Sequence, residues 1–304
     1  MTSSGDKWLA DVALVDAGDG RRLDRFGERL VDRPHPAAWE RRPRPGAWAA
    51  ADLRFDREGG WTGPADSRSP WTVSGGRLTL ELRATESGGV GLYPEHAANA
   101  AWLAAEVAAL SARAGRGDLD ANGGLDARAD GRAAPAVLNL FAHTGLLTLV
   151  AAAAGASVTH VDAARGAVAW ARRNAELSGL ADRPIRWIVD DALGFVRREA
   201  RRGRRYDGIL LDPPTYGHGR PGSRNAWRFD TDLPALLGAC VAVASKDAVV
   251  LVTAHATGLE ADQLAGAVRE AFPVPSQRAD TLPLELEAES GARLQLGLAV
   301  RVRA

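Results

Sequence analysis

From Pro135 onward, short apolar runs alternate with longer helical patterns, and this alternation restricts the fold more than any other feature. The runs predict strands at 136–141, 157–161, 185–189, 206–211 and 248–253, separated by helices at 146–154, 163–178, 193–202, 231–245 and 258–271. Such alternation is typical of a parallel sheet with right-handed crossovers. Two last strands, 281–287 and 293–302, follow without a helix between them and should close the sheet antiparallel. We predict a doubly wound, Rossmann-like α/β sheet.

The region before residue 85 has a different character and predicts a small β-rich domain at 1–84, followed by the α/β domain at 85–304. It ends on the alternating strand Leu78–Leu82 and contains four spaced tryptophans among prolines and glycines: Trp39, Trp48, Trp61 and Trp71. These side chains suit the core of a small domain, although Trp-rich β modules can also stack bases. Residues 111–134 lack β-branched and aromatic residues and predict a flexible insertion.

Charge and cysteine content exclude several classes of protein. The 38 basic and 38 acidic residues cancel, so any contact with nucleic acid must depend on a local patch. One cysteine, Cys240, rules out a disulfide framework and a cysteine-based metal site. The first residues have no signal-peptide pattern, and no apolar run is long enough to span a membrane, so we expect a cytoplasmic protein.

Acidic residues end three of the first four strands of the α/β region. Asp162, at the end of the second, is placed to accept both ribose hydroxyls of a nucleoside-containing cofactor. Asp190 and Asp191, after the third, could accept from an adenine amino group beside the amide of Ala192, or cap the next helix. The first turn, 141–145, lacks the G-x-G-x-x-G spacing of pyrophosphate-binding loops. A cofactor without phosphates fits this pattern better than NAD or FAD.

The fourth strand leads directly into Asp212-Pro213-Pro214-Thr215-Tyr216. Two prolines cannot continue a strand ladder, so the chain must leave the sheet where ligands bind in open α/β folds. A plain turn is the simpler explanation, but the other acidic strand ends favour a functional edge.

Five ordered segments resemble the class I S-adenosylmethionine-dependent methyltransferases. The nearest subgroup includes the large-subunit ribosomal RNA methyltransferases, in which a small N-terminal domain precedes the catalytic one. The segments are VLNLFAHTG at 137–145, THVDAARGAVAWARRNAELSGL at 159–180, DDAL at 190–193, YDGILLDPPTYG at 206–217 and LVTAHATG at 251–258. A weaker similarity lies in VGLYPEH at 90–96, which resembles the family's segment before its first helix.

The resemblance implies S-adenosylmethionine as cofactor and assigns roles along these segments. The residues implied at the cofactor are Tyr93, Glu95, Asn139, Phe141, His143, Thr144, Gly145, Asp162, Ala163, Asp190, Asp191, Ala192 and Asp212. Those implied at the transferred methyl group are Asp212, Pro213, Pro214 and Tyr216. Methyl transfer is an in-line displacement that needs alignment and charge matching but no metal. A carboxylate and carbonyls that accept from an exocyclic amine would suit methylation of nitrogen.

One departure from the family concerns the cysteine nucleophile of its cytosine-C5 methyltransferases. Ala256 stands where that cysteine is expected, and Cys240 lies in an apolar helical segment, so we predict non-covalent chemistry. His255 lies at a strand end and could act as a base, but it has no partner visible in the sequence, and a structural histidine is an equal alternative. The same holds for His143.

The loop at 217–229 is the best candidate for substrate binding. It combines Arg220, Arg224 and Arg228 with Trp227, a mixture suited to phosphates and an unstacked base, although a solvated excursion would look similar. With His255, these are the predicted substrate-binding residues. We expect a methyltransferase acting on RNA, with ribosomal RNA as the preferred substrate and a base nitrogen as the acceptor. The alternatives are a small-molecule methyltransferase of the same fold and a non-catalytic cofactor-binding RNA or assembly protein.

Overall fold

The computed structural model describes residues 8–116, 134–214, 227–255 and 261–304. The strands are β1 Val12–Gly18, β2 Arg21–Phe26, β3 Arg29–Pro34, β4 Leu53–Asp56, β5 Gly60–Thr62, β6 Trp71–Gly75, β7 Leu78–Leu82, β8 Ala136–Leu140, β9 Ser157–Asp162, β10 Ile185–Val189, β11 Tyr206–Leu211, β12 Ala244–Ala254, β13 Ala279–Glu287 and β14 Arg293–Arg303. The α-helices are α1 Ala97–Arg116, α2 Leu146–Ala153, α3 Arg165–Leu177, α4 Ala192–Arg201, α5 Phe229–Val241 and α6 Ala261–Ala271.

A seven-stranded sheet with the order β10-β9-β8-β11-β12-β14-β13 forms the centre of the α/β region. The first five of these strands are mutually parallel, and β14 pairs antiparallel with both β12 and β13. All five residues of β8 and all six of β11 are buried, as expected for central strands covered on both faces. The predicted Rossmann-like sheet with an antiparallel end is confirmed.

Helices cover both faces of this sheet. One core contains Leu103 of α1, Leu149 of α2 and Ala175 of α3, together with side chains of the N-terminal strands. The other contains Phe195 of α4, Leu236 of α5 and Leu264 of α6, together with strand residues that face the opposite way. The chain is therefore wound on both sides of the sheet.

The N-terminal strands form a five-stranded sheet of order β1-β2-β3-β4-β5 and the separate hairpin β6–β7. The hairpin contacts α3, where the side chain of Asn174 accepts from the backbone N–H of Glu81 at 2.8 Å. At the other side, Leu14 and Ala38 pack against Leu294 and Leu296. The β-rich character predicted for this region is confirmed, while the boundary at residue 84 remains a prediction.

Two predicted segments have different bounds in the structure. The helix predicted to reach Ser245 ends at Val241, because Ala244 already pairs with Tyr206 in the parallel ladder. The predicted insertion at 111–134 begins too early, because α1 continues to Arg116. Leu110 of α1 is buried, and Ser111 donates a hydrogen bond to the carbonyl of Val107 at 2.9 Å, which continues the helix.

Three of the four N-terminal tryptophans pack as core residues. Trp48 is buried, and its Nε1 donates to Asp16 at 2.8 Å. Trp61 and Trp71 are partly buried against the larger core. Trp39 is 78% exposed, so the prediction of a core position is wrong for this residue. It follows the buried Ala38, and its ring lies on the solvent side of that packing.

Candidate active site

The strand register places the predicted functional residues along one edge of the large sheet. Leu140 of β8 pairs with Val161 of β9 on one side and with Leu211 of β11 on the other. The next residues along these three strands, Phe141, Asp162 and Asp212, therefore lie together at the carboxyl edge. The sequence prediction that the acidic strand ends share an edge is thus reproduced by the register.

The loop after β8 is shaped by Asp162. Its Oδ2 accepts the backbone N–H of His143, and its Oδ1 accepts that of Ala164, each at 2.8 Å. Phe141 and His143 both have positive φ, of 55° and 47°, a conformation that costs energy for residues other than glycine. Asp162 therefore stabilises a strained loop, in addition to the ribose contact predicted from the sequence.

A pocket of about 380 Å³, including its open part, lies between this loop, the segment before α1 and Asp212. Its lining residues are Gly91, Leu92, Tyr93, His96, Asn139, Phe141, Ala142, His143, Thr144, Gly145, Leu146, Leu147 and Asp212. This set unites the segment at 90–96 with the loop at 139–145, as the sequence analysis expected. Its position outside the carboxyl ends of the strands is where open α/β folds bind their ligands.

Two glycines allow the backbone around the pocket to approach its neighbours. Gly91 has φ +87°, and a Cβ there would lie 2.3 Å from the ring of Trp170. Gly145 has φ +91°, and its Cβ would lie 2.9 Å from that of Ala171. The hydroxyl of Thr144 donates to the carbonyl of Gly91 at 2.5 Å and joins the two pocket walls. The two glycines therefore let the pocket walls pack closely against α3.

Asn139 is held in this wall by a buried hydrogen-bond chain. Its Nδ2 donates to Thr148 Oγ1 at 2.9 Å, and Thr148 Oγ1 lies 2.9 Å from His160 Nδ1. Because Thr148 accepts from Asn139, its hydroxyl proton is available to His160. Burial lowers the pKa of His160 to about 3, so its ring stays neutral and able to accept.

Asp190 and Asp191 are both engaged within the protein. Asp191 accepts the backbone N–H of Gly194 at 2.7 Å, which is the helix cap that the sequence allowed, and Ala192 begins α4. Asp190 forms an ion pair with Arg198. None of these three residues lines the pocket, although Asp190 donates its backbone N–H to the carbonyl of Asp162. Their contact with adenine remains a prediction.

Asp212 is surrounded by three donors from two other segments, the end of β12 and the turn before α1. Thr253 donates to its Oδ1 at 2.5 Å, and Nε2 of His255 lies 3.2 Å from the same oxygen. His96 Nε2 lies 3.3 Å from Oδ2. Burial alone would raise the pKa of Asp212, but His255 and His96 hold it well below its ordinary value. The carboxylate is therefore ionised and fixed in orientation.

His255 lies between two carboxylates. Its Nδ1 is 3.4 Å from Glu95 Oε1, while its Nε2 faces Asp212. Burial opposes a charge on this ring, but Asp212 and Glu95 raise the pKa of His255 to about 9. It is thus an imidazolium at neutral pH. The partner that sequence analysis could not see is a pair of acidic residues, and Glu95, predicted at the cofactor, is one of them.

Aromatic rings flank the pocket mouth on two sides. The Tyr93 ring lies 5.4 Å from that of His143 and 5.6 Å from that of His255, and its side chain is 46% exposed. On the other side, Phe141 and Trp227 make an edge contact at 5.0 Å. Arg228 is exposed and pairs with Asp232 at 3.9 Å. The predicted residues Tyr216, Arg220 and Arg224, and also Ala256, lie outside the described residues.

Sequence analysis missed His96, Thr253 and Asn99, whose Nδ2 lies 3.3 Å from His96 Nδ1. His96 and Thr253 stand inside the segments quoted for the resemblance, each within two residues of a candidate that the sequence analysis named, Glu95 and His255. That proximity was the available signal. Asn99 lies in α1 and belongs to no motif.

The atoms of His96, Asp212 and His255 that could bind a metal ion lie within 4.8 Å of one another. Two histidines and a carboxylate are also a known ligand set for divalent metals. His96 Nδ1 faces the side-chain NH₂ group of Asn99 at 3.3 Å, so a neutral His96 ring carries its proton on Nε2, the atom that faces Asp212 and that a metal in this cluster would need. Within the described ranges, no helix is long and apolar enough to cross a membrane.

Known proteins are similar to this chain over different lengths. A family model described as conserved hypothetical protein 95 matches residues 128–220. Two curated relatives are named ribosomal RNA large subunit methyltransferase K/L. The one from Methylococcus capsulatus is 43% identical over 84 residues, which is 27% of this chain and 11% of the relative. The one from Shewanella frigidimarina is 33% identical over 110 residues, 36% and 15% of the two chains. The chain thus spans less than a sixth of the length of either.

Solved structures match nearly the whole chain. The SMU.776 methyltransferase in complex with SAH has a TM-score of 0.72 at 15% identity, over 97% of this chain and 76% of that one, which supports the fold. A SAM-dependent methyltransferase from Agrobacterium tumefaciens has a TM-score of 0.82 and 33% identity, over 99% of this chain and 92% of that one. Together with the pocket and the acidic strand ends, this agreement over full length shows that the chain belongs to the S-adenosylmethionine-dependent methyltransferases.

Proposed function

We propose that this protein transfers a methyl group from S-adenosylmethionine to a base nitrogen of RNA, with ribosomal RNA as the substrate and the cytoplasm as the place of action. The observation that carries the proposal is the position of Asp212-Pro213-Pro214, directly after β11 and at the head of the pocket. The names of the two curated relatives support the choice of ribosomal RNA.

The cofactor would be held by the residues on the β8 and β9 side of the pocket. Asp162, which shapes the loop at 141–145 but is not itself a lining residue of the pocket, would accept the ribose hydroxyls. Asn139, Gly145 and the backbone near Gly91 would surround the methionine portion. When bound, S-adenosylmethionine supplies a sulfonium methyl group that an acceptor can displace. The protein's own task is then to place the acceptor in line and to exclude water.

The acceptor would bind at the Asp212 end of the pocket. A carboxylate oxygen has two acceptor positions, and His96 is the donor to Oδ2 among the described residues, so one position remains for an exocyclic amine. The Asp212 side chain is 24% exposed, which leaves it within reach of a substrate. Tyr93 and the pair Phe141–Trp227 offer ring faces for an unstacked base.

The chemistry we propose is non-covalent with respect to cysteine. Cys240 is fully buried in α5, and burial raises the pKa of its thiol, so it cannot serve as a thiolate nucleophile in this position. A small-molecule acceptor is the second candidate, favoured by the zero net charge of the chain. The ordered cluster around Asp212 argues against a protein whose catalytic groups have been lost.

The deciding experiment is transfer of tritium from methyl-labelled S-adenosylmethionine to total RNA from a strain that lacks the gene, followed by nuclease digestion and nucleoside separation. We expect label in one nucleoside of ribosomal RNA, on a base nitrogen. Cys240→Ala should transfer at the wild-type rate within about twofold, because a buried packing residue contributes stability and not chemistry. No label in RNA, together with measurable cofactor binding, would favour the small-molecule reading.

A further inference from the structure

Asp212 has two histidine neighbours, and the second nitrogen of each ring faces a different kind of group. His255 Nδ1 faces a carboxylate, Glu95 Oε1, at 3.4 Å. His96 Nδ1 faces the side-chain amide nitrogen of Asn99 at 3.3 Å. A carboxylate accepts a hydrogen bond from a protonated ring nitrogen, whereas an amide NH₂ group can only donate a hydrogen bond to an unprotonated one. The two rings therefore hold different numbers of protons.

The orientation of the Asn99 amide is set by Arg301 on β14. Arg301 Nε and Nη2 donate to Asn99 Oδ1 at 3.2 and 2.7 Å, so the oxygen faces the guanidinium and the NH₂ group faces His96. Nη2 also donates to the carbonyl of Ala98, and the guanidinium lies 5.2 Å from the ring centre of Trp102. This anchoring prevents the amide from turning its oxygen toward His96.

We propose that Asn99 and Arg301 are positioning residues of the methyl-transfer site. They hold His96 neutral with its proton on Nε2, so that Asp212 has one imidazolium beside it and not two. Nδ1 of His96 must accept from Asn99, so Nε2 carries the proton and donates it to Asp212 Oδ2. His255 is the single imidazolium, because both of its nitrogens face carboxylates.

The charge at this end of the pocket matters because the donor of the family is a sulfonium cation. A second imidazolium beside Asp212 would bring another positive charge to the same end and repel the cation. Other groups near the cluster are Tyr93, whose ring lies 6.5 Å from that of His96, and His143 beyond it. Behind Glu95, Arg22 of β2 is paired with Asp24. The variants below leave all these groups unchanged.

The structure supplies a matched control two residues along β14. Arg303 donates to Glu106 of α1 through Nε at 2.9 Å and Nη2 at 2.5 Å, as Arg301 does to Asn99. Both arginines thus link the same strand to the same helix. The link through Arg301 continues to His96 and Asp212, whereas Glu106 belongs to a different group of residues around Asp247 and Arg278. Arg303→Gln should weaken the packing of β14 without changing His96.

Histidine ¹⁵N spectra of the full chain give the test, because they report which ring nitrogens carry protons. At pH 7 we expect a proton on Nε2 alone for His96 and on both nitrogens for His255, with the signals assigned from His96→Gln and His255→Gln. Asn99→Asp replaces the donor at His96 Nδ1 by an acceptor of equal size and should add the second proton to His96. Arg301→Gln should shift the His96 signals, whereas Arg303→Gln should not.

Transfer kinetics add the functional readout. Asn99→Asp should raise KM for S-adenosylmethionine by tenfold or more, because the second imidazolium repels the sulfonium cation as it binds, while kcat changes by less than about threefold. Two protons on wild-type His96, unchanged His96 signals in Asn99→Asp, equal effects of the Arg301 and Arg303 variants, or an unchanged KM would each overturn the proposal. Loss of the His96 Nε2 proton when Zn²⁺ is added would also overturn the proposal. The wild-type spectrum gives the proton positions even if a variant does not fold or no RNA is methylated. A failure of this proposal can therefore be distinguished from a failure of the proposed function.

Discussion

The two halves of the pocket are built in different ways. The cofactor half consists of consecutive elements, β8, the loop at 141–145, α2 and β9, and Asp162 binds a loop only nineteen residues away. The acceptor half brings together His96, Asp212, His255 and Arg301, and the hydrogen bond between Arg301 and Asn99 spans 202 residues. The first half depends on local chain geometry, and the second depends on the packing of α1 and β14 against the sheet.

Because of this difference, we expect substitutions in one half of the pocket to leave the function of the other half largely intact. A change at Asp162 disturbs the loop that surrounds the cofactor, whereas a change at Asp212 disturbs charge and orientation at the acceptor end. Effects on cofactor affinity and on transfer rate should therefore separate. If they did not, the pocket would be a single energetic unit.

Asp212→Ala tests the acceptor half and has the largest expected effect. Transfer should fall by about 10³-fold or more, because the variant removes the charge and the acceptor that we place beside the reacting atoms. Affinity for S-adenosylmethionine should remain within about tenfold. The measurements are labelled-methyl transfer and calorimetric titration of the cofactor. Asp247→Ala, at the opposite end of neighbouring β12, is the control and should leave both quantities unchanged. Normal transfer by Asp212→Ala would remove Asp212 from the mechanism.

Asp162→Ala tests the cofactor half. We expect the loss of charge-assisted hydrogen bonds to cost about 1 to 3 kcal/mol of cofactor binding, roughly 5- to 150-fold in Kd. Part of that cost comes from the loop, because the amides of His143 and Ala164 lose their acceptor. Calorimetric titration measures the change, with Asp182→Ala in an exposed turn as the control. Wild-type affinity in Asp162→Ala would contradict both the ribose contact and the loop contribution.

The same contrast explains what the sequence could predict. Apolar strands, their acidic ends and the Asp-Pro-Pro exit are local patterns, so β11 and the placement of Asp162 and Asp212 at one edge follow from them. The end of α5 was misplaced because Ala242 and Ala244 favour helix, and the pairing of Ala244 with Tyr206 overrides that local preference. Asn99 and Arg301 have no local pattern. Their contact exists only after α1 packs beside β14, which no spacing along the chain reveals.

The pH dependence of stability is the smallest of these effects and tests the charge of the acceptor half directly. The pKa of His255 is raised from its ordinary 6.5 to about 9, so its proton stabilises the folded state fully below about pH 6.5, and this contribution is lost as the pH rises through about 9. The free energy of unfolding of the wild type should therefore exceed that of His255→Gln at pH 7, by on the order of 1 to 2 kcal/mol, and the difference should shrink toward pH 10. Urea unfolding of both proteins from pH 6.5 to pH 10 measures it. His35→Gln is the matched control, because burial and nearby Arg22 lower the pKa of His35 to about 4, and a ring that is neutral throughout this range adds no slope. A difference between wild type and His255→Gln that stays constant with pH would mean that His255 is neutral in the folded protein. Asp212 would then lack its charged partner, and the contrast between the two histidines would no longer hold.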